Sequence, residues 1–290
     1  MTAAVNPLVG RRAVPIFSSS TLRQVMNGEV PRQAEGLLLS MARERIIPSG
    51  ITRHEALEIL DGVLRKTYRN EHVYKSTIVN KILLGRHTLR TATLVNEFSV
   101  GNSCVDTVII NGEATAYEIK TELDSSAKLT KQISDYRKVF RKINVVVHES
   151  MVDNYSELVA GTDVGLLALT SKHRLSVKKV AKSNTSSLDV TTMMKALRKK
   201  EYTEVLIRHF GRSPSVPSTQ HFSQCLDMAL SIDPVIYQRH FEDALRARKP
   251  REPSLALDTP CHPLRYVYLQ LDPARSHYER IDRWLRGTVD

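Results

Sequence analysis

EFSVGNSCVDTVIINGEATAYEIKTELDSSAKLTKQISDYRKVFRKINVVV, residues 97–147, is the stretch that decides the fold. Short runs that alternate apolar and polar residues are broken at Gly101-Asn102 and again at Asn111-Gly112. Period-two patterning punctuated by Asn and Gly reads as strands joined by hairpins. Leu129, Ile133, Tyr136 and Phe140 then recur at helical spacing, and Ile143 to Val147 is a continuous apolar run suited to a strand covered on both faces. The stretch therefore predicts an α/β core: a small sheet, a supporting helix and a further buried strand.

Register counting brings chemistry to one place. A two-residue loop at Gly101-Asn102 pairs Val100 with Ser103 and sets Glu97 opposite Asp106. At the next hairpin a two-residue loop would put Glu118 opposite Val105, on the face away from Asp106. A three-residue loop ending at Glu113 pairs Ile110 with Ala114 instead, and sets Glu118 opposite Asp106. Lys120, two residues on, shares the face of Glu118. Paired carboxylates beside a lysine suit metal-assisted phosphodiester cleavage, so the chemistry predicts the odd-length loop.

Mg²⁺ takes oxygen ligands and usually one or two protein carboxylates, which leaves room for water and phosphate. Asp106 and Glu118 fit that role, with the backbone carbonyl of Ile119 and the carboxylate of Glu97 as further ligands. Lys120 is placed to orient the attacking water or to hold negative charge building on the phosphate. Mg²⁺ or Mn²⁺ is the expected cofactor. An isolated Glu-x-Lys carries little weight, because any half-exposed strand alternates charged and apolar residues.

The ordered set carries more. Asp106, the tripeptide Glu118-Ile119-Lys120, and Gln132-Ile133-Ser134-Asp135-Tyr136 on the following helix resemble the PD-(D/E)XK nuclease superfamily over roughly residues 71–181. The wording is similar to that of bacterial and phage members that carry the QxxxY helix of RecB-type exonuclease domains. The resemblance implies a restriction-endonuclease-like αβββαβ core with helical additions at both ends. It also implies a catalytic set of Asp106, Glu118, Lys120, Gln132 and Tyr136, with Gln132 and Tyr136 helping to place substrate. Val105 stands where the naming proline would be, which leaves the ligand intact. Many members carry another acid on the first core helix; Glu71 stands there, and Glu97 competes for the role.

Outward from the core, the chain divides into residues 1–50, an arm and helical lead-in; 51–182, the nuclease-like core; and 183–290, a C-terminal helical region. Residues 1–20 lack periodicity and read as an extended arm in which Arg11 and Arg12 could meet phosphate. Thr52 and Glu55 form a capping-box pattern that opens a helix over 52–67. Residues 165–169 and 175–180 read as an edge hairpin, 190–210 as one helix, and 250–263 as a proline-punctuated surface loop before a last helix around 276–286.

Bulk charge agrees with a polyanionic partner. The 290 residues carry 42 Lys and Arg against 31 Asp and Glu, a formal net charge of +11. Lys128 and Lys131 near the QxxxY helix, and Lys172, Lys178 and Lys179 in the edge hairpin, are candidates for tracking a phosphate backbone. The expected partner is nucleic acid, DNA first, with a protein partner or second copy on the C-terminal helices. The three cysteines, Cys104, Cys225 and Cys261, form no CxxC pair, and the histidines show no HxH or HExxH spacing, so the sequence suggests neither a zinc site nor a disulfide framework. No stretch is long and apolar enough to span a bilayer, and a cytoplasmic protein is expected. The alternative function is a nucleic-acid-binding or regulatory protein that keeps the fold without cutting.

Overall fold

In the computed structural model, which describes residues 7–290, Gly101 takes φ +58° and Gly112 φ +76°. Tight hairpin loops demand such left-handed conformations, and glycine supplies them without a Cβ clash. Helices α1 (Pro7–Ala13), α2 (Ser19–Met26), α3 (Arg32–Arg43), α4 (Arg53–Thr67) and α5 (Glu71–Ile78) come first, followed by a short α6 (Leu84–Arg86). Next are β1 (Thr93–Val100), β2 (Ser103–Asn111), β3 (Glu113–Lys120), α7 (Leu129–Arg137), β4 (Lys142–His148), α8 (Val152–Val159), β5 (Gly165–Leu169) and β6 (Leu175–Lys179). The chain ends through α9 (Val190–Ala196), α10 (Lys199–Phe210), α11 (Ser218–Ala229), α12 (Pro234–Arg246), α13 (Pro253–Leu257), α14 (Arg265–Leu271) and α15 (Arg275–Arg286).

The protein is α/β, with a mixed six-stranded sheet in sequential order β1 to β6. β3, β4 and β5 run parallel, and the other neighbours are antiparallel. The second hairpin takes the odd register: Ile110 pairs with Ala114 and Asn111 with Glu113. Both parallel crossovers pass through a helix, and one hand for each puts α7 and α8 on the same face. That face carries Val108, Ile110, Ala114, Ala116, Val145, Val147 and Leu166, in one core with Tyr136 and Phe140, Tyr155 of α8, Met193 of α9, Leu206 of α10 and Phe241 of α12.

β1 and β2 do not alternate regularly from end to end. On β1 Val95 packs on this core, yet so do Phe98 and Val100; on β2 Val105 does, and so do Val108 and Ile110. Each strand therefore switches side-chain parity once, at the same level, which keeps the pairing in register on either side of the switch. Glu97, at φ +51°, makes the switch on β1. A left-handed backbone at a non-glycine residue costs about 1–3 kcal/mol, and here it stands opposite Asp106.

The chain divides into two compact units, residues 81–249 and a unit made of residues 1–80 with 250–290. This cuts across the linear division expected from sequence. Residues 190–246 add helices to the sheet's own core, and Glu242 of α12 accepts the amide of Ala114 at 2.8 Å. In the unit of the two termini, Ile16, Leu22, Leu38, Leu57, Leu60 and Tyr74 are fully buried. The capping box on α4 forms as predicted, with the Thr52 amide donating to Glu55 and the Glu55 amide to Thr52. Trp284 is the anchor of α15: its Nε1 donates to Glu35 at 2.6 Å while Arg53 stacks over its ring.

Three expectations need correction. Residues 7–20 are helical rather than an extended arm, because Ala13, Ile16 and Phe17 have a core to enter; the part of that expectation on residues 1–6 lies outside the described residues. Arg12 is held by Glu44 at 2.6 and 2.7 Å. The helix expected over 190–210 breaks at Leu197 (ψ 151°), where the Arg198 amide donates to Glu201 and starts α10 anew. Residues 250–263 are no surface loop: Ala256, Thr259 and Cys261 are buried. Among the described residues no helix is long and apolar enough to cross a membrane.

Candidate active site

Glu118 is the centre of the site, and it is 2 % exposed. It falls on the same side of β3 as Ala114 and Ala116, at the carboxyl end of the parallel strands, where open α/β sheets place their ligand crevices. Such burial of a carboxylate is tolerable only with partners. Oε1 faces Lys120 Nζ at 2.8 Å and accepts from Gln132 Nε2 at 2.6 Å; Oε2 accepts from the Tyr136 hydroxyl at 2.7 Å. Lys120 Nζ also donates to Gln132 Oε1 at 2.9 Å, which fixes the orientation of the amide. Gln132 and Tyr136, one helical turn apart, thus present one face of α7 to β3.

Two contacts to the first hairpin hold α7 in place. The Tyr136 hydroxyl reaches the Cys104 carbonyl at 2.7 Å, and Asp135 accepts from Ser103 Oγ at 2.8 Å. The Ser103 hydrogen bond is the chief reason the Asp135 carboxyl lies below its ordinary pKa. Burial, and then the negative charge of Glu118, push the Tyr136 phenol far upward. It stays protonated at every working pH, a hydrogen-bond donor and never a base. Its single proton serves two acceptors, the Glu118 carboxylate and the Cys104 carbonyl. Tyr136→Phe strips both of that donor, and a loss of about 1–3 kcal/mol in unfolding free energy is expected, read by urea denaturation.

Asp106 joins the site by another route. The β2–β3 pairing runs only to Thr107 and Tyr117, and beyond it Asp106 Oδ2 accepts the Ile119 amide at 2.7 Å. The side chain takes over where the ladder stops. Asp106, Ile119, Glu118 and Lys120 are therefore gathered at one point, and the charge of Asp106 also acts on Tyr136. Glu97 is exposed on the edge strand, at the kink that faces Asp106. Glu71, the other acid considered, lies in the unit of the termini and pairs with Lys75.

The basic candidates separate. Lys128 and Lys131 are exposed at the start of α7, and Lys172 is exposed in the β5–β6 turn, at the same sheet end as Lys120 because β3, β4 and β5 are parallel. Lys178 is exposed further along β6, which runs away from that end. Lys179 serves the fold: its Nζ donates to the carbonyls of Val159 and Thr162.

Sequence reasoning did not single out His148, Glu122 and Tyr155. His148 ends β4 one position beyond the partner of Lys120, and its Nδ1 lies 3.1 Å from Glu122. Its signal was available: a polar residue closing a buried parallel strand. Tyr155 of α8 buries its hydroxyl without a hydrogen-bond partner among the described residues, and burial with the charges of Asp124 and Glu118 raises its pKa.

Comparison with known proteins bears on the same segment. The family model described as bacteriophage P4 protein cII matches residues 64–257, more than half of the chain. Protein cII of Enterobacteria phage P4 is 32 % identical over 87 residues, 29 % of this chain and 33 % of that protein. The match thus spans about a third of the curated relative. No solved structure matches.

Proposed function

The chain belongs to the bacteriophage P4 protein cII family, and for this member we propose a Mg²⁺- or Mn²⁺-dependent nuclease that hydrolyses phosphodiester bonds in DNA. The observation that carries the proposal is the cluster of buried Glu118, Lys120 and Tyr136 with half-buried Gln132, and with Asp106 tied to the amide of Ile119. The strand and helix order around it, three antiparallel strands, a helix and a parallel strand, is the one that a restriction-endonuclease-like core requires.

The donor set suits a hard cation. Asp106, Glu118 and the Ile119 carbonyl are oxygen donors, with Glu97 as an additional one, and Mg²⁺ and Mn²⁺ prefer such ligands. Tyr136 can leave Glu118 Oε2 for an ion at little cost, since the Cys104 carbonyl already accepts its proton. A bound divalent ion would polarise the phosphoryl oxygens and lower the pKa of its water. Lys120 supplies fixed positive charge beside the phosphate, and Gln132 keeps Lys120 and Glu118 in mutual orientation. Lys128, Lys131 and Lys172 attract the substrate backbone, with Lys178 further along it.

The test is incubation of the full chain with linear, circular and single-stranded DNA and with RNA, in Mg²⁺, Mn²⁺ or EDTA, beside Lys120→Ala. Products that need metal and vanish in Lys120→Ala are expected on DNA. Intact substrate in every tube overturns the nuclease reading. A salt-dependent mobility shift of the uncut DNA would then identify a binding protein of the same fold.

A further inference from the structure

The second compact unit holds a cluster that the nuclease reading does not use. His54 and Glu58 stand one turn apart on α4, and the buried Cys261 comes to them from the segment ahead of α14. One imidazole nitrogen, one carboxylate oxygen and the sulfur lie within 4.8 Å of one another. The His54 Nε2 to Glu58 Oε1 separation is 3.7 Å. Tetrahedral coordination with bonds of about 2.0–2.3 Å sets donor separations of about 3.3–3.8 Å. The histidine and carboxylate already meet that spacing, and the sulfur needs an approach of about 1 Å at most.

We propose that His54, Glu58 and Cys261 form a binding site for a thiolate-accepting divalent cation of the zinc class, with water in the fourth position. A sulfur donor beside an imidazole selects against Mg²⁺ and Ca²⁺ and for Zn²⁺. Cys261 is 0 % exposed, while the His54 and Glu58 side chains are 34 % and 43 % exposed. The sulfur closes the inner side, and the ion and its water enter from the outer one. Pro260 and Pro263 stiffen the segment that carries the sulfur.

A second observation supports the placement. Asp61, the next residue along that face of α4, is 7 % exposed and leaves Oδ1 buried without a hydrogen-bond partner among the described residues, although Oδ2 takes Arg65 at 2.6 Å. Its charge reaches the Cys261 thiol. A cation in the cluster would compensate that oxygen. On binding, Cys261 gives its thiol proton to solvent as the sulfur–metal bond forms, and the ion ties α4 to a segment some 200 residues later in the chain.

The experiment uses the full chain freed of metal by a chelator. Zn²⁺ is titrated in competition with a chromophoric chelator, and Co²⁺ by absorption. One Zn²⁺ per chain is expected, with a thiolate-to-cobalt charge-transfer band and tetrahedral d–d bands. Cys261→Ser removes the charge-transfer band and weakens Zn²⁺ binding more than about 100-fold, beyond the loss of an outer-shell partner. Cys225→Ser changes neither, although His221 lies 3.6 Å from that sulfur. His54→Asn, on the exposed side of the helix, keeps the fold and weakens binding, so it decides the matter if Cys261→Ser does not fold. Lys120→Ala retains the Zn²⁺ site, which separates this result from the nuclease assay. Absence of stoichiometric Zn²⁺ binding, or unchanged binding in both Cys261→Ser and His54→Asn, overturns the proposal.

Discussion

Lys120→Met is expected to abolish metal-dependent cleavage and to cost about 3–5 kcal/mol of stability at once. The reason is the burial of its partner: the Glu118 side chain is 3 % exposed and that of Lys120 10 %. Removing one member of a buried pair leaves the other charge without compensation, which costs about that much. Cleavage is expected to fall at least about 10²-fold, the scale seen when one donor to developing negative charge is lost. The double variant Glu118→Gln with Lys120→Met removes both charges and leaves an amide that can bond Tyr136 and Gln132. It is expected to recover most of the stability and none of the activity. Urea denaturation of the single and double variants, beside a cleavage assay, measures both. Equal stability of Lys120→Met and the wild type would show that the pair is not the buried, mutually dependent one described.

Acid is expected to weaken the unit of the termini well above the range where carboxylates titrate. His72 packs against Phe17 and Tyr266, at ring centroid distances of 5.2 and 6.1 Å, and its Nε2 is buried with no hydrogen-bond partner among the described residues. Burial, with Arg65 and Lys75 adding to it, depresses its pKa from 6.5 to about 4. The unfolded chain takes up this proton near pH 6.5 and the folded one only near 4. Stability from this group is complete above pH 6.5, falls as the pH drops toward 4, and is level below that. The whole shift corresponds to about 3 kcal/mol; the part that falls between pH 7.5 and 5, where the folded state has barely begun to take up the proton, is an expected loss of about 2 kcal/mol. His72→Phe keeps the ring packing and removes the titration. The difference between wild type and variant, measured at both pH values, isolates His72 from Glu242, whose pKa burial raises and whose contribution has the opposite sign. A variant that loses as much stability as the wild type would refute the assignment.

The core was legible because local patterning carried it. Asparagine–glycine pairs set both hairpins, the odd loop put Ile110 on Ala114, and the strands expected over 165–169 and 175–180 form over 165–169 and 175–179. Alternation failed at Glu97 and Asp106, where each strand switches parity. A switch shared by two strands leaves the register unchanged, so counting from the hairpins could not detect it. Charge counting likewise took Lys179 for a phosphate contact, although its ammonium satisfies two loop carbonyls.

By itself the sequence determined the α/β class, the register of the first hairpin and the capping box on α4, each from spacing within one strand, one turn or one helix. The expected chemistry chose the odd loop of the second hairpin, and the superfamily resemblance, rather than spacing, implied that Gln132 and Tyr136 join Asp106, Glu118 and Lys120. Only the tertiary structure decided that residues 190–246 complete the sheet's core while 250–290 return to the N-terminal helices. Only it sealed Glu118 from water, and only it brought Cys261 to His54 and Glu58. Those outcomes depend on which apolar faces meet across long sequence separations, and no local period encodes that choice.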